Sequence, residues 1–308
     1  MMLTSKITYA FLITIVFSFT YSCKQKNNVQ SALNVQPEVG SEYQISTKVY
    51  THLERRTRDA MLAMNLVGNI DWSLGFSNVN EDTIDGFFKL NAFRSNLETT
   101  SPSTRTYEIN TMDTTKTLYG QNSKPYATLL KEKHRFVFVK NRAQIVDSSY
   151  FKLAEALPSA HQEDLVSEQF FLLFRDQAIE AYLEHVLSWY LPDTVSGSRF
   201  TADLRVFQGL TLEVNDTLQV KTSSSSEIDA EGKGGLKAWN GLHGVDGILS
   251  KKNKANGQSD IYLQLDAKSR IPIYVNIHLR ASGEALNYQT MYPFKLDADI
   301  KHTLKRVN

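Results

Sequence analysis

Seven histidines and a few clusters of oxygen-bearing side chains are the residues of this sequence that could do polar chemistry. The histidines are His52, His134, His161, His185, His243, His278 and His302. They form neither an H-E-x-x-H motif nor a His-x-His pair, the spacings that bring two imidazoles onto one metal. His185 falls in a stretch with helical apolar spacing, where a packed histidine is the ordinary outcome. His278 alternates with the apolar residues around it and so should face away from them. Asn78, Asn80, Asp82 and Asp85 crowd together in "NVNEDTIDG". Oxygen ligands at alternate positions suit calcium. Counted from Glu81, however, Ala92 stands where an EF-hand needs its bidentate glutamate, so the stretch reads as a polar hairpin turn.

A serine hydrolase would want a nucleophile elbow, and no G-x-S-x-G occurs. Ser196-Gly197-Ser198 reads as a loop after a helix. "EGKGG", Glu231 to Gly235, could cradle a phosphate only where a strand runs into a helix. Strand-like sequence surrounds it, so it reads as a turn, as does "GLHGVDG" at 241–247. No catalytic residue, metal ligand or cofactor site emerges, and the chain is expected not to be an enzyme.

Cys23 is the single cysteine of the chain. Before it lie Lys6 and an apolar run from Ile7 to Phe19, too short to span a bilayer, which takes about 20 residues. That run has the length of a signal-peptide core. Thr20-Tyr21-Ser22-Cys23 then resembles the lipobox of bacterial lipoproteins, although Thr20 stands where that family usually has Leu. The resemblance implies that the signal, residues 1–22, is cut off and Cys23 becomes a lipidated first residue. It implies a membrane partner reached through the N-terminal lipid anchor. Lys24 replaces the aspartate that retains some lipoproteins at the inner membrane, which points to the outer membrane. Residues 23–40 then read as the lipidated cysteine and a polar tether.

Charge balance narrows the partners further. There are 34 basic against 33 acidic residues. A nucleic-acid partner normally demands a basic face, so none is expected. The hydrophobic content, 42% with 11% aromatic, is ample for a folded body.

Residues 41–308 read as a single α+β domain: a strand block over 41–148, helices over 150–191 and a second strand block over 198–301. In the first block Tyr43, Ile45, Thr47 and Val49 share one face. Leu62, Met64, Leu66, Ile70, Trp72, Leu74 and Phe76 keep even spacing, with a bulge or bend possible at Gly68. Phe88, Leu90 and Ala92 continue that period of two. "HRFVFVKNRAQIVD" reads as a hairpin turning near Asn141. In the middle, Ala178, Ile179, Tyr182, Leu183, Val186 and Leu187 recur at helical spacing. In the second block Leu210, Leu212 and Val214 alternate, with turn signals at Gly209 and Asn215-Asp216. Ile261, Leu263 and Leu265, then "DAKSR", then Ile273 to Leu279 form the clearest hairpin. Strands enclosing a helical run predict a curved antiparallel sheet packed on a central helical segment.

That layout, with its tethered start, its "FVFVKNRAQIVD" hairpin and its helix ending in "WYLP", is similar to a family of bacterial lipoproteins. More loosely it resembles the periplasmic lipoprotein-carrier fold (LolA-type). The resemblance implies an apolar cavity between sheet and helices, with Trp72, Phe76, Phe170, Phe174, Tyr182 and Trp189 as candidate lining. The expected role is to bind an apolar or lipid ligand at the cell envelope. The alternative is a structural or interaction module that docks to another envelope protein.

Overall fold

The computed structural model describes residues 35–56, 61–100, 103–113, 117–118, 121–122, 127, 129–130, 132–139, 142–155, 176–187, 198–207, 210–238, 254–287 and 290–307. Cys23, the signal-like segment before it and residues 24–34 lie outside this set.

The body is nearly all antiparallel sheet. The first arm comprises β1 (Glu42–Arg56), β2 (Met61–Val79), β3 (Thr83–Thr100), β4 (Thr104–Asn110), β7 (His134–Val139) and β8 (Arg142–Ile145). A small ribbon of β5 (Thr117–Leu118) and β6 (Gln121–Asn122) stands apart from the main sheet. Among the described residues two helices follow, α1 (Ser148–Glu155) and α2 (Asp176–Leu187). The second arm holds β9 (Ser198–Phe207), β10 (Leu210–Ser223), β11 (Glu227–Ala238), β12 (Lys254–Asp266), β13 (Pro272–Asn287) and β14 (Thr290–Arg306).

The strand order is β8-β7-β3-β2-β1-β14-β13-β12-β11-β10-β9, with β4 also paired to β3. The first and last strands meet in the middle. They stay in register from Tyr43 opposite Arg306 to Arg55 opposite Phe294. The chain therefore winds outward along one arm, passes through the helices and returns along the other arm. This corrects the expected α+β architecture. The two strand blocks are one open, curved, twelve-stranded sheet, and no central helical segment carries the core. The physical reason lies in strand length. β2 and β3 run 19 and 18 residues, each with a single apolar face. Curving such a sheet lets it bury that face largely against itself.

Bulges supply part of the curvature. On β3 the pairing with β2 skips Asn91: Trp72 opposes Leu90 while Asp71 opposes Ala92. The extra residue flips the alternation, so Phe93 points inward and Ala92 does not. The bulge is thus at Asn91, on the strand facing β2, and Gly68 simply occupies an inner position of β2. On the other arm the stretch "EGKGG" is not a turn. It lies inside β11, and there β10 and β12 approach each other across that strand.

Residues 35–40, the end of the stretch that reads as a tether, are held to this sheet. Val35 is buried, and the Gln36 N–H donates to the Ser269 carbonyl. Glu38 pairs with Arg306 at 2.5 Å and with Lys268 at 3.3 Å. Gly40, at φ +85, donates its N–H to the Phe76 carbonyl. That left-handed backbone favours glycine, which has no Cβ to clash.

Candidate functional site

The inner face of the sheet is apolar with few interruptions, and the interruptions carry the polar chemistry. β1 presents Tyr43, Ile45, Thr47, Val49 and Leu53 inward, as alternation predicts. β14 presents Phe294, Leu296, Ala298, Ile300, His302 and Leu304. Thr47 and His302 face each other in register. α2 lies against this face with Ile179, Tyr182, Leu183, Val186 and Leu187, one helical stripe at three- and four-residue spacing.

Where α2 meets the centre of the sheet, four polar groups form a buried chain. The Trp72 Nε1–H donates to Thr47 Oγ1 at 2.8 Å. Thr47 Oγ1 lies 2.8 Å from His302 Nδ1, and His302 Nε2 lies 3.3 Å from His185 Nδ1. One consistent assignment runs in a single sense: the Thr47 hydroxyl donates to His302, which donates in turn to His185. Burial holds His185 down to about 4, and it holds His302 well below the usual imidazole range, helped by His185 beside it. Both rings are therefore neutral at pH 7. The Tyr182 ring stands edge-on to His302 at 5.8 Å, and burial raises its phenol.

α2 also closes one edge of the sheet. Ile145 and Ala143 of β8 donate their backbone N–H groups to Glu180 (3.0 Å) and Glu184 (3.1 Å). The two glutamates are four apart on a helix and the two amides two apart on a strand, spacings that match. An edge strand would otherwise offer those donors to another chain.

A second inner polar group sits on the far arm. Asp216 of β10 is fully buried, between the inward Leu212 and Leu218. Ser259 of β12 donates its hydroxyl to Asp216 Oδ1. The strand between them places Gly234 in register with both. With no side chain at 234, the two groups meet over the backbone of β11. Asp216 Oδ2 is buried and has no hydrogen-bond partner. Burial pushes this carboxyl up to about 6; the Ser259 bond opposes the shift and the neighbouring Asp260 adds to it.

A third cluster has the residue types of a hydrolytic triad without its geometry. His134 Nδ1 lies 3.5 Å from both Asp147 Oδ2 and Ser149 Oγ. A nucleophile relay needs the hydroxyl and the carboxylate on opposite ring nitrogens. Here both sit at one nitrogen, and His134 Nε2 is buried without a partner. The ring packs on Phe88 and Tyr150 and joins β7 to α1, whose start Asp147 caps through the Ser149 N–H. Burial lowers the His134 imidazole, against the pull of Asp147.

Of the expected pocket residues, Trp72, Phe76 and Tyr182 are all buried. Trp72 and Tyr182 converge on the Thr47–His302 pair, while Phe76 packs on Tyr43 at 5.9 Å. Phe170, Phe174 and Trp189 lie outside the described residues, as do His161, His243 and residues 241–247. Asn78 to Gly86 spans the β2–β3 hairpin turn, where Asn78 donates to Asp85 at 3.1 Å. Among the described residues no group of three histidine, cysteine or acidic side chains could hold a metal ion. His278 is on the outer face, with its Nδ1 2.9 Å from Asp299. Sequence reasoning passes over His302 and takes Asp216 for a turn. The signal available for both is a polar residue in step with an apolar alternation.

No family model matches the sequence. No curated protein matches it either. Among the solved structures that it matches are three that differ widely from one another. A lipovitellin studied for lipid–protein interactions aligns over 87% of this chain at 9% identity and a TM-score of 0.48. The chain covers 25% of that protein's length. An outer membrane channel from Pseudomonas putida F1 gives 4% identity and a TM-score of 0.28, covering 88% of this chain and 97% of the channel. A DUF1329 family protein from Desulfovibrio piger gives 8% identity and a TM-score of 0.15, covering 86% of this chain and 85% of that one. Likenesses this slight say nothing about activity.

Proposed function

We propose that the chain is a non-enzymatic protein of the cell envelope that holds an apolar or lipid ligand between its sheet and its helices. Cys23 would tie it by lipid to a membrane, the outer one given Lys24 beside it. Stable anchoring takes two or more acyl chains, which lipobox processing supplies. The observation that supports ligand binding is the extent of the apolar inner face. It runs from Phe136 and Phe138 on β7 across the central strands to Leu236 on β11. The described helices that cover it, α1 and α2, are only 8 and 12 residues long. A continuous apolar sheet face of this extent suits a carrier for apolar molecules.

Native mass spectrometry of the mature body, made without Cys23 and purified without detergent, tests this. An added mass of lipid size that disappears on organic extraction is the expected result. A clean unliganded mass in repeated preparations would sink the carrier reading and leave a docking module of the envelope.

A further inference from the structure

We propose that Asp216 anchors the head group of that ligand, and that the ligand is an amphiphile ending in a hydrogen-bond donor, an amine or a hydroxyl. The inference rests on the ligand-binding reading above and specifies its chemistry. Asp216 points to the inner side of the sheet, in step with Leu212 and Leu218. Ser259 occupies only one of its oxygens. The other oxygen is buried and unpartnered. Buried carboxylates are strongly disfavoured unless paired or fully hydrogen-bonded. Among the described residues none relieves this one. Gly234 stands opposite it on β11 and Ser259 is its partner on β12. Among the described residues the charge that acts on it is Asp260, of the same sign.

The Trp72–Thr47–His302–His185 chain, by contrast, passes hydrogen bonds through all four of its groups on the same face. Leaving one acceptor open in an apolar surround suits a ligand that brings its own donor. Leu218, Leu236 and Ile261 border the position and are buried, so the rest of the ligand meets hydrocarbon. A carboxylate-headed ligand would instead place two negative charges together in a low-dielectric site, which is repulsive.

The test uses the full chain carrying Cys23→Ser, freed of detergent and endogenous lipid, and the neutral dye N-phenylnaphthylamine as reporter. Dodecylamine, dodecanol and dodecanoate compete for the dye at about pH 8, where the ordinary carboxyl ranges leave acids ionised. The amine and the alcohol should displace the dye at concentrations at least about tenfold below dodecanoate. Asp216→Asn should remove most of that preference while the dye still binds. If dodecanoate competes as well as the amine in the unaltered protein, the anchor is wrong and the carrier reading stands. If neither dye nor any amphiphile binds, the carrier reading fails and the anchor fails with it. Selectivity in the unaltered protein decides the matter even if Asp216→Asn folds poorly.

Discussion

Two of the buried polar clusters of the inner face differ in closure. At the central seam, Trp72, Thr47, His302 and His185 pass hydrogen bonds from one to the next and bind α2 to β1, β2 and β14. On the far arm, Asp216 and Ser259 make one bond and leave one oxygen open. A closed network rigidifies the place it occupies, whereas a half-satisfied one carries a standing cost. The seam therefore reads as construction and the far arm as reception. The difference is testable because the two clusters titrate in opposite senses.

The largest effect should come from opening the closed cluster. Thr47→Val keeps the shape but leaves the Trp72 indole N–H and a His302 nitrogen unpaired. Each buried orphan costs about 1–3 kcal/mol, so a loss of about 3–5 kcal/mol is expected in urea unfolding at neutral pH. A loss below about 1 kcal/mol would mean that the seam is not a coupled unit.

Acid should act on the same cluster. His185 has its folded value depressed from 6.5 to about 4. The folded state therefore binds fewer protons than the unfolded state between those values. Its contribution is fully present above about 6.5 and is lost as pH falls towards 4, amounting to about 3 kcal/mol. His302 adds in the same direction. Urea midpoints measured down this range should drop steadily, and His185→Gln should shallow the slope. An unchanged slope would place the acid sensitivity elsewhere.

Asp216 should behave in reverse. Its folded value is raised from 3.8 to about 6, so the folded state holds the proton more tightly. The protonated group favours folding below 3.8, and that advantage fades as pH rises through 6. Asp216→Asn should therefore stabilise the protein by about 2 kcal/mol at about pH 8 and by little at about pH 4. If the variant is destabilised equally at both values, the open oxygen is not the liability inferred here.

The smallest effect should come from the edge contact of α2. Glu180→Ala removes the acceptor of the Ile145 N–H and should cost about 1 kcal/mol. Hydrogen exchange at Ile145 should quicken, with Ala143 following when Glu184 is also replaced. A cost rivalling that of Thr47→Val would mean that the edge, and not the seam, docks the helix.

Much of the strand pattern is legible in the order of residues alone. The antiparallel pairing of β7 with β8 and the β12–β13 hairpin at "DAKSR" follow from turn chemistry between alternating runs, and both lie where local sequence puts them. Asp266 accepts from the Lys268 and Ser269 N–H groups there, a local device that needs no distant partner. The stripe of α2 is legible for the same reason. What fails is each inference in which a local signal competes with pairing. Asn215-Asp216 carries strong turn propensity, yet it lies inside β10 because β9 and β11 both pair with it. "EGKGG" resembles a loop, yet it is the bent strand over which Asp216 meets Ser259. Ala92 loses its inward place to Phe93 because a bulge at Asn91 leaves no mark in the alternation.

By itself the sequence determined the period of nearly every strand and the apolar stripe of α2. These depend on residues close together in the chain. Only the tertiary structure decided that β1 pairs with β14, that the strand blocks merge into one sheet, and that Thr47 meets His302 while Asp216 meets Ser259. Those partners lie 255 and 43 residues apart in sequence. No local propensity encodes such contacts; they follow from strand pairing and register, which set Thr47 opposite His302 and place Asp216 and Ser259 on either side of Gly234.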